Sequence, residues 1–156
     1  MSALLVNGVP IECINQAALE YYVPATLIIS VLTTENGKVG LASLNQNGTY
    51  DYGPMQINTI WIKEVKKYGY TREAIQYDPC VNVAVGTWIL SQAIANGGNL
   101  WQGVGNYHSH TFDKNITYQA KVKEFYQYLN DYLSGQVNGK STKLLSRHIQ
   151  SPEGYS

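Results

Sequence analysis

Glu35 is the first residue whose type and position could do chemistry. It ends an otherwise apolar helical segment, predicted over residues 24–36, so its carboxyl group could face a partly desolvated cleft. Desolvation disfavours the charged form of a carboxyl group and raises its pKa. Such an acid can protonate a leaving oxygen near neutral pH. The alternative interpretation is an ordinary polar residue in the last helical turn before Gly37.

A second candidate is the polar stretch that follows. Its amide and hydroxyl side chains surround a glycine and several tyrosines; they are Asn45, Gln46, Asn47, Thr49, Gln56 and Asn58. Groups of this kind hydrogen-bond to sugar hydroxyl and N-acetyl groups, and aromatic faces stack on sugar rings. The 13 tyrosines of the chain, against two phenylalanines, suit such a surface. The competing interpretation is a surface loop rich in turn-forming residues.

Histidine and cysteine chemistry is less well supported. The imidazoles of His108 and His110 could lie on one side of an extended segment, but no further ligand cluster is evident, so we expect no metal and no other cofactor. Neither Cys13 nor Cys80 has the context of a thiol nucleophile that would pair with His108. The cysteines form either one disulfide or two buried thiols, and the polar, tyrosine-rich composition typical of exported chains favours the disulfide.

Composition bounds the class of protein. The 156 residues suffice for about one domain, and 44% hydrophobic with 14% charged residues argues against disorder. Eleven basic and eleven acidic residues cancel, which is unlike the basic surface of a nucleic-acid-binding protein. No run approaches the ~20 apolar residues that a membrane span needs, and the first ten residues show no signal peptide.

Helix start and stop signals predict a mainly α domain over residues 1–133. Proline and glycine positions and apolar spacing indicate helices near 10–21, 24–36, 58–68, 79–96, 100–107 and 112–133. Asn47-Gly48 predicts a turn or short hairpin within 41–53. Residues 134–156 have little periodicity and are predicted to form a flexible C-terminal tail or a partner-binding segment.

Taken in order, four segments resemble the lytic transglycosylase family, whose fold is lysozyme-like, as in goose-type lysozyme. The segments are Thr34-Glu35-Asn36-Gly37, NGTYDYGPMQIN at 47–58, DPCVNVAVG at 78–86 and GNYHS at 105–109. The resemblance covers about residues 13–118 and is closest to the small members that accompany type III and type IV secretion and pilus systems.

The resemblance implies roles for individual residues. Glu35 would be the sole catalytic acid and base, and Cys13 and Cys80 would form a bridge between helices. The implied substrate-binding residues are Gln56 and Asn58 on the cleft floor, Tyr107 at the reacting sugar, and Tyr118, Met55 and Asn36. Two positions depart from the usual family pattern, because Asn36 replaces a serine and Pro54 replaces a leucine.

The implied activity is cleavage of peptidoglycan between N-acetylmuramic acid and N-acetylglucosamine, which leaves 1,6-anhydromuramic ends. We expect a monomer in the bacterial periplasm or outside the cell, with glycan strands and secretion or pilus components as its partners. Two alternatives remain open at this point. One is a hydrolytic muramidase with Asp51 as second carboxylate, and the other is a peptidoglycan-binding assembly protein without turnover.

Overall fold

Helices dominate the architecture. The computed structural model describes residues 4–135 and 146–150. The helices of these residues are α1 (Ile11–Tyr21), α2 (Ala25–Glu35), α3 (Ile62–Lys66), α4 (Arg72–Tyr77), α5 (Pro79–Asn96), α6 (Leu100–His108) and α7 (Phe112–Leu133). The prediction of a mainly α fold is confirmed, and none of these helices is long and apolar enough to cross a membrane.

Capping residues explain where several helices begin. The Asp78 carboxylate accepts hydrogen bonds from the N–H groups of Cys80 and Val81, and Pro79 takes the first turn of α5, as the sequence predicts. The short helix α4 was not predicted; the Thr71 hydroxyl caps it by accepting from the Ala74 N–H. Residues 58–68 form a 3-10 turn (Thr59–Trp61) followed by α3, rather than one helix.

The predicted hairpin lies in a three-stranded antiparallel sheet. Strands β3 (Ala42–Leu44) and β4 (Tyr50–Tyr52) flank the Asn47-Gly48 turn, and β5 (Ile57–Asn58) pairs with the other edge of β4. Gly48 has a φ of 85°, a left-handed conformation that glycine adopts without steric cost. The hairpin and β5 carry most of the polar residues that the sequence singled out.

A second small sheet joins both ends of the described chain. Strand β1 (Leu5–Val6) pairs with β2 (Val9–Pro10) on one side and with β6 (Ile149–Gln150) on the other. The pairing of β6 differs from the tail predicted for these two residues, because backbone hydrogen bonds fix them on the domain. The remainder of the predicted tail at 136–145 and 151–156 lies outside the described residues.

The core is built around α2. Seven consecutive residues of this helix, 27–33, are buried, and the helix packs against α1 and α7. Helix α5 packs against α1 and α6. A Cys13–Cys80 disulfide joins α1 to α5 with 5.3 Å between Cα atoms, so the predicted bridge is confirmed. The central position of α2 places its last residue, Glu35, where α7 and the small sheet converge.

Candidate active site

Glu35 is the last residue of α2 and is partly buried. Asn36 follows it in the left-handed conformation, with a φ of 53°, and its N–H closes the helix on the Leu32 carbonyl at 3.0 Å. Gly37 then passes so close to the carbonyl oxygens of Gly53 and Pro54 that a Cβ would collide with both. The end of α2 is thereby fixed against the loop that enters β5.

Tyr118 reaches Glu35 from α7. Its phenolic hydroxyl donates a hydrogen bond to Glu35 Oε2 at 2.6 Å, and only 5% of the tyrosine is exposed. The imidazole of His108 stacks on the Tyr118 ring, with 4.8 Å between centroids and 8° between planes. The Tyr107 ring is also roughly parallel to Tyr118, at 6.5 Å. Two residues of α6 therefore hold the tyrosine that contacts the acid.

The environment of Glu35 raises its pKa from 4.5 to about 7. Burial is the largest cause, and the negative charge of Asp51 adds to it. The hydrogen bond from Tyr118 and the charge of Lys121 act in the opposite direction. At neutral pH this carboxyl group is divided between its acid and carboxylate forms, which is what a group that both gives and takes a proton requires.

A groove of about 880 Å³ opens on one side of Glu35. We call it the amide groove, because neutral polar side chains dominate its lining. Asp51, Trp61, Tyr107, His108 and His110 also line it. The amide and hydroxyl residues in it are Asn45, Gln46, Asn47, Thr49, Gln56, Asn58, Asn106 and Ser109. All six polar residues that the sequence singled out in the 45–58 stretch line this groove together with Glu35.

Side-chain hydrogen bonds order the groove wall. Asn58 donates to Asp51 Oδ1 at 2.8 Å and to the Thr49 hydroxyl at 3.0 Å. Gln56 has a positive φ of 54°, and its amide donates to the Gly53 carbonyl at 3.0 Å. Asp51 thus presents a second carboxylate to the groove that Glu35 lines.

Asn82 is a supporting residue whose role the sequence did not reveal. It is fully buried in α5, where its Oδ1 accepts from the Met55 N–H at 2.8 Å. Its amide nitrogen donates to the carbonyls of Tyr52 and Ile75 at 3.0 and 2.9 Å. The sequence does contain one indication of this role, which is a polar amide within the largely apolar run 81–90. An amide buried in such a helix needs hydrogen-bond partners.

Three of the predicted substrate-binding residues do not line the amide groove. Met55 is 0% exposed and packs against Gly86, so its side chain cannot contact a ligand in the groove. Its carbonyl instead accepts from the Tyr107 hydroxyl at 2.9 Å. Asn36 is exposed and closes α2 without lining the groove. Tyr118 lines the cavity on the other side of Glu35.

That second cavity has a volume of about 310 Å³, and we call it the lysine recess. Its lining residues are Thr34, Glu35, His108, Asp113, Lys114, Thr117, Tyr118 and Lys121. Glu35, His108 and Lys114 line both cavities, so the acid stands at their junction. In the part of the chain that the structure describes, no three His, Cys, Asp or Glu side chains come together as a metal ion would need.

Comparison with known proteins identifies the family of this chain. Residues 12–129 match the model of the Transglycosylase SLT domain. The chain is 31% identical over 140 residues to Invasion protein IagB of Salmonella typhi, covering 86% of this chain and 88% of that protein. It is 31% identical over 121 residues to Protein IpgF of Shigella flexneri, covering 77% and 76%. A Peptidoglycan-binding-like protein of Escherichia coli O157:H7 is 28% identical over 131 residues, covering 76% and 78%. The chain belongs to the SLT transglycosylase family, with its lysozyme-like fold.

Proposed function

We propose that this protein is a peptidoglycan lytic transglycosylase in which Glu35 is the only catalytic acid and base. The observation that carries the proposal is the pKa of Glu35, which burial raises to about 7 at the edge of the amide groove. An acid with this pKa can donate a proton to a leaving oxygen and recover one later in the same turnover. The groove offers amide and aromatic groups suited to N-acetylated sugars.

In the first step, protonated Glu35 gives its proton to the glycosidic oxygen between N-acetylmuramic acid and N-acetylglucosamine. The bond between that oxygen and the muramic C1 breaks, and the N-acetylglucosamine end leaves as an alcohol. The acetamide oxygen of the muramic sugar attacks C1 and stabilises the positive charge there, as in substrate-assisted glycosidases. Glu35 is then a carboxylate, which the Tyr118 hydroxyl stabilises at 2.6 Å.

In the second step, the Glu35 carboxylate removes the proton of the muramic 6-hydroxyl. The oxygen attacks C1, displaces the acetamide and closes a 1,6-anhydro ring. Glu35 is protonated again, and no water is consumed. The attack is intramolecular, so proximity supplies several kcal/mol of the barrier lowering.

The biological setting is part of the proposal. The relatives named Invasion protein IagB and Peptidoglycan-binding-like protein support a role in local wall remodelling for a secretion or pilus apparatus. Peptidoglycan lies outside the cytoplasmic membrane, and the disulfide between Cys13 and Cys80 suits an oxidising compartment. We therefore place the protein in the periplasm or outside the cell, as a monomer whose partners are glycan strands and components of such an apparatus.

Mass analysis of digested sacculi tests the chemistry. Wild-type protein should release fragments with 1,6-anhydromuramic ends, and Glu35→Gln should lower that release by at least about 100-fold, since general acid catalysis contributes ~10²–10⁴-fold. Unchanged release by Glu35→Gln would refute the assignment of Glu35. Absence of turnover in both proteins would instead favour a non-catalytic wall-binding protein, provided that both still sediment with sacculi.

A hydrolytic muramidase is the second candidate, because Asp51 lines the same groove and its charge raises the pKa of Glu35. In that mechanism the second carboxylate activates water or stabilises the sugar cation, and the products carry reducing ends. Asp51→Asn separates the two reactions. A muramidase should lose most of its turnover with this variant. The transglycosylase should continue to form anhydro ends, but the alkaline limb of its rate profile should move to lower pH, because the pKa of Glu35 falls without the Asp51 charge.

A further inference from the structure

The lysine recess has no role in the reaction just described, although it adjoins the acid. We propose that it binds a carboxylate carried by the substituent of the muramic sugar, while the sugar chain itself occupies the amide groove. The inference rests on the proposed function, since it concerns the same substrate at the same acid. It assigns a recognition role to Lys114 and Lys121.

The two lysines are placed to act together. They are seven residues apart on α7, which is about two helical turns or ~10 Å along one side of the helix. Both line the recess, together with the hydroxyl-bearing residues Thr34 and Thr117. Lys114 also borders the amide groove, so an anionic branch could pass from the groove to the recess beside Glu35.

The charge of the lysine pair is not neutralised by an ion pair. Within residues 4–135 and 146–150, the ion pair that the structure contains is Arg72–Glu73 on helix α4, and neither residue lines the recess or the amide groove. The carboxyl groups that line the recess are those of Asp113 and Glu35, and Glu35 is divided between its neutral and charged forms. The two cations therefore exceed the anionic charge of the recess, although the chain as a whole has no net charge.

Electrostatic coupling supports the same placement. Burial is the largest cause that lowers the pKa of His108, whose ring covers Tyr118; the charge of Asp51 opposes it, and the charges of both lysines act with it. For Glu35, burial raises the pKa, and the charge of Lys121 acts in the opposite direction. Both lysines line the recess together with Glu35, so a group bound by them would lie next to the sugar being cleaved.

The substrate has an anion at the matching position. The sugars of peptidoglycan are uncharged rings, but each muramic acid carries a lactyl group that ends in a carboxylate or in a peptide stem with its own carboxylates. The muramic sugar is the one whose C1 lies at Glu35 in the proposed reaction. A branch from that sugar, rather than the chain, would therefore meet Lys114 and Lys121.

Binding measurements in a Glu35→Gln background test the inference without turnover. The probes are three oligosaccharides: a muramic tetrasaccharide with peptide stems, the same tetrasaccharide with free lactyl carboxylates, and a hexamer of N-acetylglucosamine without any carboxylate. Lys114→Gln with Lys121→Gln should weaken binding of at least one carboxylate-bearing probe by about tenfold. Each exposed charge contributes roughly two- to fivefold in affinity, and the two contributions multiply. Lys121→Gln alone, whose lysine lines the recess but not the amide groove, should leave binding of the hexamer within twofold.

Two controls separate charge from packing. Lys123→Gln removes a charge from the same helix, but its ammonium lies 5.1 Å from the Trp101 ring, away from the recess, so binding should not change. Lys114→Arg with Lys121→Arg should retain the affinity. Loss with the stemmed probe alone identifies stem carboxylates, loss with the unstemmed probe alone identifies the free lactyl carboxylate, and loss with both shows that the recess accepts either carboxylate.

Equal weakening of all three probes, or of none, would overturn the inference. Failure of every probe to bind the parent protein would instead reject the amide groove as a glycan site, and with it the proposed function.

Discussion

The phenolic oxygen of Tyr118 lies 2.6 Å from Oε2 of Glu35, across 83 residues of sequence. The hydroxyl donates to the carboxylate and so favours its charged form, whereas burial favours the neutral form. Burial prevails, but the opposing hydrogen bond helps to keep the pKa of Glu35 near neutrality. This balance allows one side chain to serve as acid in one step and as base in the next.

Removing the Tyr118 hydroxyl should shift the pH dependence of activity. In Tyr118→Phe the carboxylate loses its donor, so the pKa of Glu35 rises further and the alkaline limb of the rate profile moves to higher pH. Turnover should fall roughly tenfold, the value of a hydrogen bond to a charged group. Tyr126→Phe is the matched control, because its ring packs on Trp101 away from the acid. An unmoved alkaline limb would contradict the assignment of Tyr118.

The difference in stability between the wild type and Glu35→Gln should depend on pH in a defined direction. The folded protein holds the Glu35 proton up to about pH 7, whereas the unfolded chain releases it near 4.5. Between these values the folded state binds more protons, so its stability falls as pH rises. The full cost is about 3 kcal/mol above pH 7.

Gln cannot ionise, so the variant should match the wild type at pH 4 and exceed it by up to about 3 kcal/mol at pH 8. Urea unfolding at several pH values measures the difference, and Glu64→Gln, an exposed acid of α3, provides the control. A difference that is independent of pH would show that burial does not raise the pKa of Glu35.

Asn82→Ala should destabilise the protein by at least about 3 kcal/mol, because it removes the side-chain partner of one buried N–H and two buried carbonyl groups.

Thr87→Val on the same helix is the matched control, because it removes a buried hydroxyl that makes no hydrogen bond among the described residues. Because Thr87 is itself fully buried, valine should be neutral or stabilising. Chemical denaturation compares the two, and similar losses for both would contradict the role given to Asn82.

Loss of the disulfide should lower the free energy of unfolding by about 4 kcal/mol, the chain-entropy value for a loop that closes 67 residues apart. The Cys13→Ala, Cys80→Ala double variant and the reduced wild type should show similar midpoints in urea. Turnover below the unfolding transition should persist, since neither cysteine lines the groove or the recess. A selective loss of turnover in a folded variant would assign the cysteines a further role.

Gly37→Ala should disturb the site more than its size suggests. The added methyl group would collide with the Gly53 and Pro54 carbonyls, and such overpacking costs about 1–3 kcal/mol. Gly98→Ala meets nothing within 4 Å and should be close to neutral. Thermal unfolding distinguishes them, and an unchanged midpoint for Gly37→Ala would show that the loop can retreat from α2.

Several features could be predicted from the sequence because they depend on residues close together in the chain. Capping by Asp78 and Pro79 marked the start of α5, and apolar spacing gave α7 its full extent, because both effects act within one or two helical turns. The Asn47-Gly48 pair predicted the hairpin for the same reason, since a turn depends on adjacent residues. Helix α4 and the two-residue strands were missed, since so few residues give too short a pattern.

What the amino-acid sequence determined by itself was the helical domain, the polar stretch and an acid at the end of an apolar helix. Only the tertiary structure decided that Tyr118 contacts that acid, that Met55 is buried beneath Asn82 and α5, and that lysines gather on its other side. The physical reason is range. Capping and periodicity depend on neighbours along the chain, whereas the partner and the burial of a side chain depend on how distant helices pack.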